Sequence, residues 1–280
     1  VSARALDHLV LPVAGLDTAR ARLSALGFTV APQGNHPFGT INACVYFADR
    51  TFIEPLAVGD AATVAAAIAA DNSFVIGDAR FRAALGEEGF SAIVLASGDA
   101  AADHDAFTAA GISGGAMVEF SRPSLDRDGK ADIASFRLAF AAPSGGADAF
   151  FFACEPRKVP SVDRSALERH ENGVTRILAV HAEAADPASF AAFLAGMAGG
   201  AVGKGDNFAG IALQNATIDV RRNGEAARPR LTGVTYGVRD LAAVAALFKT
   251  NGVVCARQGA AIHVPPARGQ GAAFMFEETP

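Results

Sequence analysis

Leu6-Asp7-His8-Leu9-Val10-Leu11 opens a pattern that the 280-residue chain repeats three more times. The later openings are Ser91-Ala92-Ile93-Val94-Leu95, Val174-Thr175-Arg176-Ile177-Leu178-Ala179-Val180 and Leu231-Thr232-Gly233-Val234-Thr235-Tyr236. Each is a run suited to a strand, followed by an alanine- and leucine-rich stretch that ends on glycine and re-enters a strand. Repetition of one supersecondary unit decides the fold class before any single motif is weighed.

After the first opening, Leu16, Ala19, Leu23 and Leu26 recur at helical spacing, with Asp17 as the expected cap and Gly27 as the stop. The fourth copy repeats the logic with Asp240, then Leu241, Val244, Leu247 and Phe248; the third opens its helix on Asp186-Pro187. Strand-like runs follow each helix at 41–47 and 51–58, 135–140 and 149–154, 211–214 and 216–220, and 261–264 and 272–276. A strand, a helix and a short antiparallel set make a small curved sheet whose concave face one unit leaves bare, so two units close a cavity between them. The predicted class is α+β: four βαβββ units paired into two domains. Residues 1–156 form the first, with the cup, and 173–280 the second, a structural half. The charged, proline-containing stretch 157–172 is the linker, and 59–88 is a partly helical connection.

Composition narrows the function classes. A net charge of −5 with no lysine or arginine block excludes a phosphate-tracking surface, so nucleic acid is not an expected partner. No apolar run reaches spanning length and the first residues carry no basic-then-apolar leader; no membrane partner is expected, and the expected location is cytoplasmic. Cys44, Cys154 and Cys255 are odd in number and sit in strand-like runs, as buried free thiols do in a reducing compartment.

Three segments, Leu6-Asp7-His8-Leu9-Val10, His36-Pro37-Phe38-Gly39-Thr40-Ile41-Asn42 and Phe52-Ile53-Glu54-Pro55-Leu56, resemble the vicinal oxygen chelate superfamily, and within it the glyoxalase-like bacterial proteins. The superfamily includes glyoxalase I, extradiol dioxygenases and bleomycin-resistance proteins. The resemblance implies a cup around a divalent metal ion, with ligands from the first and last strands of paired units. Carried over, His8 matches the first-strand histidine, Glu54 the last-strand carboxylate, and Glu155 in Cys154-Glu155-Pro156 the second unit's carboxylate. Ala92 stands where the second first-strand ligand belongs and cannot bind a metal, so the set departs from a four-ligand site.

Each candidate has a plain structural reading beside the functional one. His8 alternates with Leu6 and Val10 and is either a hydrogen-bonded core histidine or a ligand. Glu54, in an apolar run, needs a partner because an unpaired buried carboxylate costs several kcal/mol, of the order of the known penalties; Arg50 would serve on the surface. His36 lies in a polar turn and suits proton transfer near neutral pH. Expected pocket residues are Phe38, Asn42, Phe47 and Phe151, although Asn42 also suits a strand end and Phe151 a buried strand.

The expected activity is a metal-dependent lyase or isomerase acting on a small substrate with adjacent oxygens, with Glu54 or His36 moving the proton. The alternatives are an extradiol-type dioxygenase, or a non-catalytic protein that sequesters a small molecule. The expected partners are a small-molecule substrate or ligand and, in a homodimer, a second copy of the chain.

Overall fold

In the computed structural model, which describes residues 3–125 and 130–279, the four openings become the four central strands of two sheets. The first unit comprises β1 (Leu6–Pro12), α1 (Leu16–Ala25), β2 (Gly34–Asn35), β3 (Thr40–Asn42), β4 (Val45–Tyr46) and β5 (Phe52–Val58). Two helices follow, α2 (Ala61–Ala69) and α3 (Ser73–Leu85), capped by the side chains of Asp60 and Asn72. The second unit is β6 (Ala92–Ala96), α4 (Ala100–Ala109), β7 (Val118–Leu125), β8 (Ala131–Ala141) and β9 (Phe150–Lys158). The third is β10 (Val174–Ala184), α5 (Pro187–Ala198), β11 (Val202–Gly205), β12 (Phe208–Ala212) and β13 (Thr217–Arg222). The fourth is β14 (Arg230–Val238), α6 (Leu241–Thr250), β15 (Ala256–Gln258), β16 (Ala261–Val264) and β17 (Ala273–Glu278).

Both sheets are built the same way. In each unit the first strand lies parallel to the last, as β1 does to β5 and β6 to β9; the two first strands then pair antiparallel at the sheet centre. The second sheet repeats this with β10–β13, β14–β17 and β10–β14. A parallel pair needs a crossover, and the helix of each unit supplies it.

The sheets share one core. Leu9, Leu11 and Ile53 of the first sheet and the α1 stripe Leu16, Ala19 and Leu23 join Val234, Tyr236, Phe274 and Phe276 of the second. Phe28 makes ring contacts with Tyr236, Phe274 and Phe276 across the junction. A second, smaller cluster (Val10, Phe38, Leu56, Phe74, Val94 and Phe152 among its members) occupies the opposite, concave face of the first sheet.

Three local expectations shift. The first helix is capped at Gly15, leaving Asp17 in its first turn, where its charge suits the helix dipole. Arg157 and Lys158 continue β9 instead of starting the linker, because Lys158 pairs with Ser135 of the long β8. Leu6 does not share a face with His8: the β1–β6 ladder shifts register between them, sending Leu6 to the shared core and His8 to the concave face. Among the described residues no helix is long and apolar enough to cross a membrane.

Candidate active site

The concave face of the first sheet holds a cup of about 210 Å³. Strand alternation decides what enters it. From β1 comes His8, from β5 Phe52 and Glu54, from β7 Phe120 and Arg122, from β8 Phe136 and Leu138, and from β9 Phe152 and Cys154. His36 and Phe38 come from the β2–β3 turn. That turn depends on Gly39, whose φ of +91° suits glycine and where a Cβ would stand 2.7 Å from the Asp60 carbonyl oxygen.

Glu54 is the centre of the polar cluster. Its Oε1 accepts a hydrogen bond from Asn42 Nδ2 at 2.6 Å. His8 Nε2 lies 3.5 Å from Oε2 and His36 Nε2 lies 3.5 Å from Oε1, so an imidazole flanks each oxygen. The outer nitrogens are engaged as well: His8 Nδ1 contacts Asp7 Oδ2 at 2.6 Å and His36 Nδ1 contacts Thr40 Oγ1 at 2.9 Å. His8 stacks on Phe52 at 4.2 Å between centroids, and His36 on Phe38 at 4.9 Å.

The two histidines are tuned apart. Burial opposes a charge on His8, but the Asp7 hydrogen bond and the nearby Asp7 and Glu54 carboxylates outweigh it and raise its pKa to about 9. His36 is pushed down to about 4, chiefly by burial, with Arg122 and His8 adding to the effect against the pull of Glu54. Burial also works against an ionised Glu54, yet His8, His36 and Asn42 hold its pKa near 2. In the absence of a metal ion the cluster is a carboxylate beside one imidazolium and one neutral imidazole. Cys44 at the wall is inert, its thiol pushed up to about 12 by burial and by the charge on Glu54, with Arg122 and Arg164 pulling weakly the other way.

Of the residues singled out in the sequence, His8, His36, Glu54, Phe38 and Asn42 line one cup. The structure does not bring Glu155, Phe47 or Phe151 there. Glu155 follows the cup residue Cys154 by one position and therefore points the other way, accepting from the Ala100 amide at 3.0 Å and from Arg157 at 2.8 Å. Phe47 packs against Phe28 and Tyr236, and Phe151 against Phe190 and Phe193, all in the shared core. His8 and Ala92 each stand seven residues before the residue that caps the following helix. On that equivalence Val10 corresponds to Val94, whose parallel partner is Phe152 where Val10 has Glu54. The second unit thus offers Ala92 and Phe152 where the first offers His8 and Glu54.

Sequence reading missed Phe52, Phe74, Phe120, Arg122, Phe136 and Arg164, which also line the cup. Strand β7 had no clear period-2 pattern to reveal it, and Arg164 arrives from the inter-sheet segment. His181 lies inside β10, a strand of 11 residues against seven in β1.

A small curved double-unit sheet with a buried histidine–carboxylate cluster on its concave face defines a vicinal oxygen chelate protein. The chain belongs to the family described as "Glyoxalase-like domain", which matches residues 6–198. Solved structures share the fold at low identity. A hypothetical protein from Staphylococcus aureus aligns at 14% identity and TM-score 0.70, over 98% of this chain and 99% of that one. A mutant 4-hydroxymandelate synthase from Streptomyces coelicolor aligns at 12% and 0.62, over 99% and 93%. Catechol 2,3-dioxygenase aligns at 12% and 0.60, over 100% and 89%. No curated protein matches the chain.

The fold family implies a divalent metal ion, and the donor chemistry tests it. Among the described residues no three His, Cys, Asp or Glu side chains are gathered so as to hold an ion as they stand. The nearest fit is the His8–Glu54 pair. Its 3.5 Å spacing is too long for a normal N–H···O bond and suits two donors that share one ion at roughly 2.0–2.2 Å each. Asp7 on Nδ1 is the outer-shell carboxylate that orients a ligating imidazole elsewhere. The pair suits an ion with an open shell, and at the matched positions the second unit has Ala92 and Phe152, which donate nothing.

Proposed function

We propose that this cup is the site of a glyoxalase-like lyase or isomerase reaction on a small substrate with adjacent oxygens. The observation that carries the reading is the placement of Glu54, buried at 7% side-chain exposure, with an imidazole Nε2 at each of its oxygens. His8 and Glu54 would hold a divalent ion, which when bound supplies Lewis-acid polarisation of the substrate oxygens. His36 is neutral at ordinary pH, and its Nε2 faces the cluster, where it takes a proton from a substrate carbon and returns it. Asn42 fixes the Glu54 carboxylate and Thr40 fixes the His36 ring. Phe52, Phe74 and Phe152 exclude water from the reacting region.

The test is metal content together with titration of Mn²⁺, Zn²⁺ and Ni²⁺ into chelator-stripped protein. One bound equivalent is expected, lost in both His8→Ala and Glu54→Gln while circular dichroism stays native. Absence of any bound ion in the native protein would leave the sequestering reading in its place.

A second reading, an extradiol-type dioxygenase, is favoured by one observation: His36 Nε2 stands 3.5 Å from Glu54, so side-chain movement would bring the two-histidine, one-carboxylate donors used by non-haem iron around one ion. Oxygen uptake by iron(II)-loaded protein with catechol would support it, and its absence in the presence of bound iron would remove it.

A further inference from the structure

Among the described residues Arg122 and Arg164 are half-buried guanidiniums of the cup that face no carboxylate in an ion pair. Elsewhere in the first sheet and its helices, Arg4 pairs with Asp103, Arg82 with Asp78 and Glu87, Arg137 with Glu119, and Arg157 with Glu155. Arg122, half-buried, lies 5.8 Å from the Phe136 centroid, with its Nη1 packed beside Gly34. Arg164, also half-buried, lies 4.5 Å over Tyr46. Both line the cup. The groups that neutralise charge there are already committed, Glu54 to Asn42 and its histidines and Asp7 to His8.

A half-buried guanidinium that has given up water without gaining an oxyanion is poised to take one, and its planar fork matches a carboxylate in bidentate fashion. The walls between the two arginines and the Glu54 cluster are phenylalanine rings. At about 210 Å³ the cup is smaller than the roughly 300–1,000 Å³ of sites for drug-sized ligands, which limits it to one ring. A protein of net charge −5 has concentrated three arginines, counting the exposed Arg50, around one small cavity. This local positive field draws an anion.

We infer that the ligand is a single flat ring bearing one carboxylate: the ring sits among the cup phenylalanines and the carboxylate is held by Arg122 and Arg164. This names the substrate class for the cup, resting on the reading that the cup is a small-molecule site, and does not require the metal.

The experiment is calorimetry and thermal shift on chelator-stripped full-length protein with phenylacetate, benzyl alcohol and inorganic phosphate. Phenylacetate should bind about ten-fold or more tightly than either of the others, a preference that weakens with added salt. Arg122→Gln should remove most of that preference and leave benzyl alcohol binding unchanged; Arg122→Lys should keep part of it. Arg164→Gln provides the same readout on a residue outside any sheet, should Arg122→Gln fail to fold. Equal binding of phenylacetate and benzyl alcohol, binding of phosphate as tight as phenylacetate, a preference untouched in both glutamine variants, or no binding of phenylacetate at millimolar concentration would each overturn the proposal. Loss of metal in His8→Ala with phenylacetate binding retained would separate this inference from the metal reading.

Discussion

The two sheets have the same strand order and the same pairing of units, yet among the described residues the first closes its concave face over a buried polar cluster and the second leaves its own partly exposed. On the first, His8 and Glu54 are 8% and 7% exposed; on the second, the facing pair His181 and Asp219 is 18% and 25% exposed and stands 3.8 Å apart. The difference lies in what is added to the common frame. In the first sheet the β7–β8 ladder has strands of eight and 11 residues that carry Phe120, Arg122 and Phe136 over the cup, and α3 contributes Phe74. The matching β15–β16 pair has strands of three and four residues. Topology provides a curved face, and hairpin length makes that face a closed cup.

Substitutions in matched positions test this comparison. The largest effect is expected from Glu54→Ala, which leaves the buried His8 imidazolium with Asp7 alone; stability should fall by about 3–5 kcal/mol in chemical denaturation, and divalent-ion binding should vanish. A loss under about 1 kcal/mol would mean that water already solvates the cluster. Phe151→Ala and Phe152→Ala separate the two faces of one strand. The first opens the shared core and should cost about 3–5 kcal/mol while sparing ligand binding; the second should weaken ligand binding more than its neighbour does. Reversal of that order in thermal-shift titrations would place the cup on the wrong face.

A smaller effect concerns pH. His170 ties the inter-sheet segment to the first unit, accepting from the Thr29 amide at Nδ1 and contacting the Tyr46 carbonyl through Nε2. Burial lowers its pKa below the ordinary 6.5, against a raising contribution from Tyr46. The unfolded chain therefore takes up the proton first, so the stability contribution is complete above about pH 6.5 and is lost as pH falls towards the lowered folded value. One such proton gives a slope of at most about 1.4 kcal/mol per pH unit, and His170→Gln should flatten the acid limb of the Tm–pH curve by that share. The smallest effect belongs to the second sheet, where Asp219→Ala should change stability by no more than about 0.5 kcal/mol and leave ion binding untouched. A large loss there would show that the second face is a site in its own right.

How much of this was legible in the sequence follows from the range of each signal. The four units were legible because a strand opening followed by a capped helix is a local pattern, and Asp186-Pro187 and Asp240 stand at the caps as expected. His8, His36, Asn42 and Glu54 were legible as a group because they fall within one unit. Glu155 misled because its Glu-Pro neighbourhood imitates Glu54-Pro55, while side-chain direction depends on a register that one residue reverses. Phe47 and Phe151 misled for the same reason: a phenylalanine in a strand declares burial but not which core it joins. Arg122 and Arg164 depend on a ladder and a connecting segment whose positions only the assembled sheet defines.

The replacement of a histidine and a glutamate by Ala92 and Phe152 in the second unit has a consequence for how a guest can lie. A cavity lined by two equivalent walls admits a small planar molecule in two head-to-tail poses of equal energy. Here one wall is polar at Glu54 and the other apolar at Phe152, so the poses are inequivalent and an asymmetric molecule is sorted into one. A chiral guest should therefore be bound with one enantiomer preferred over the other.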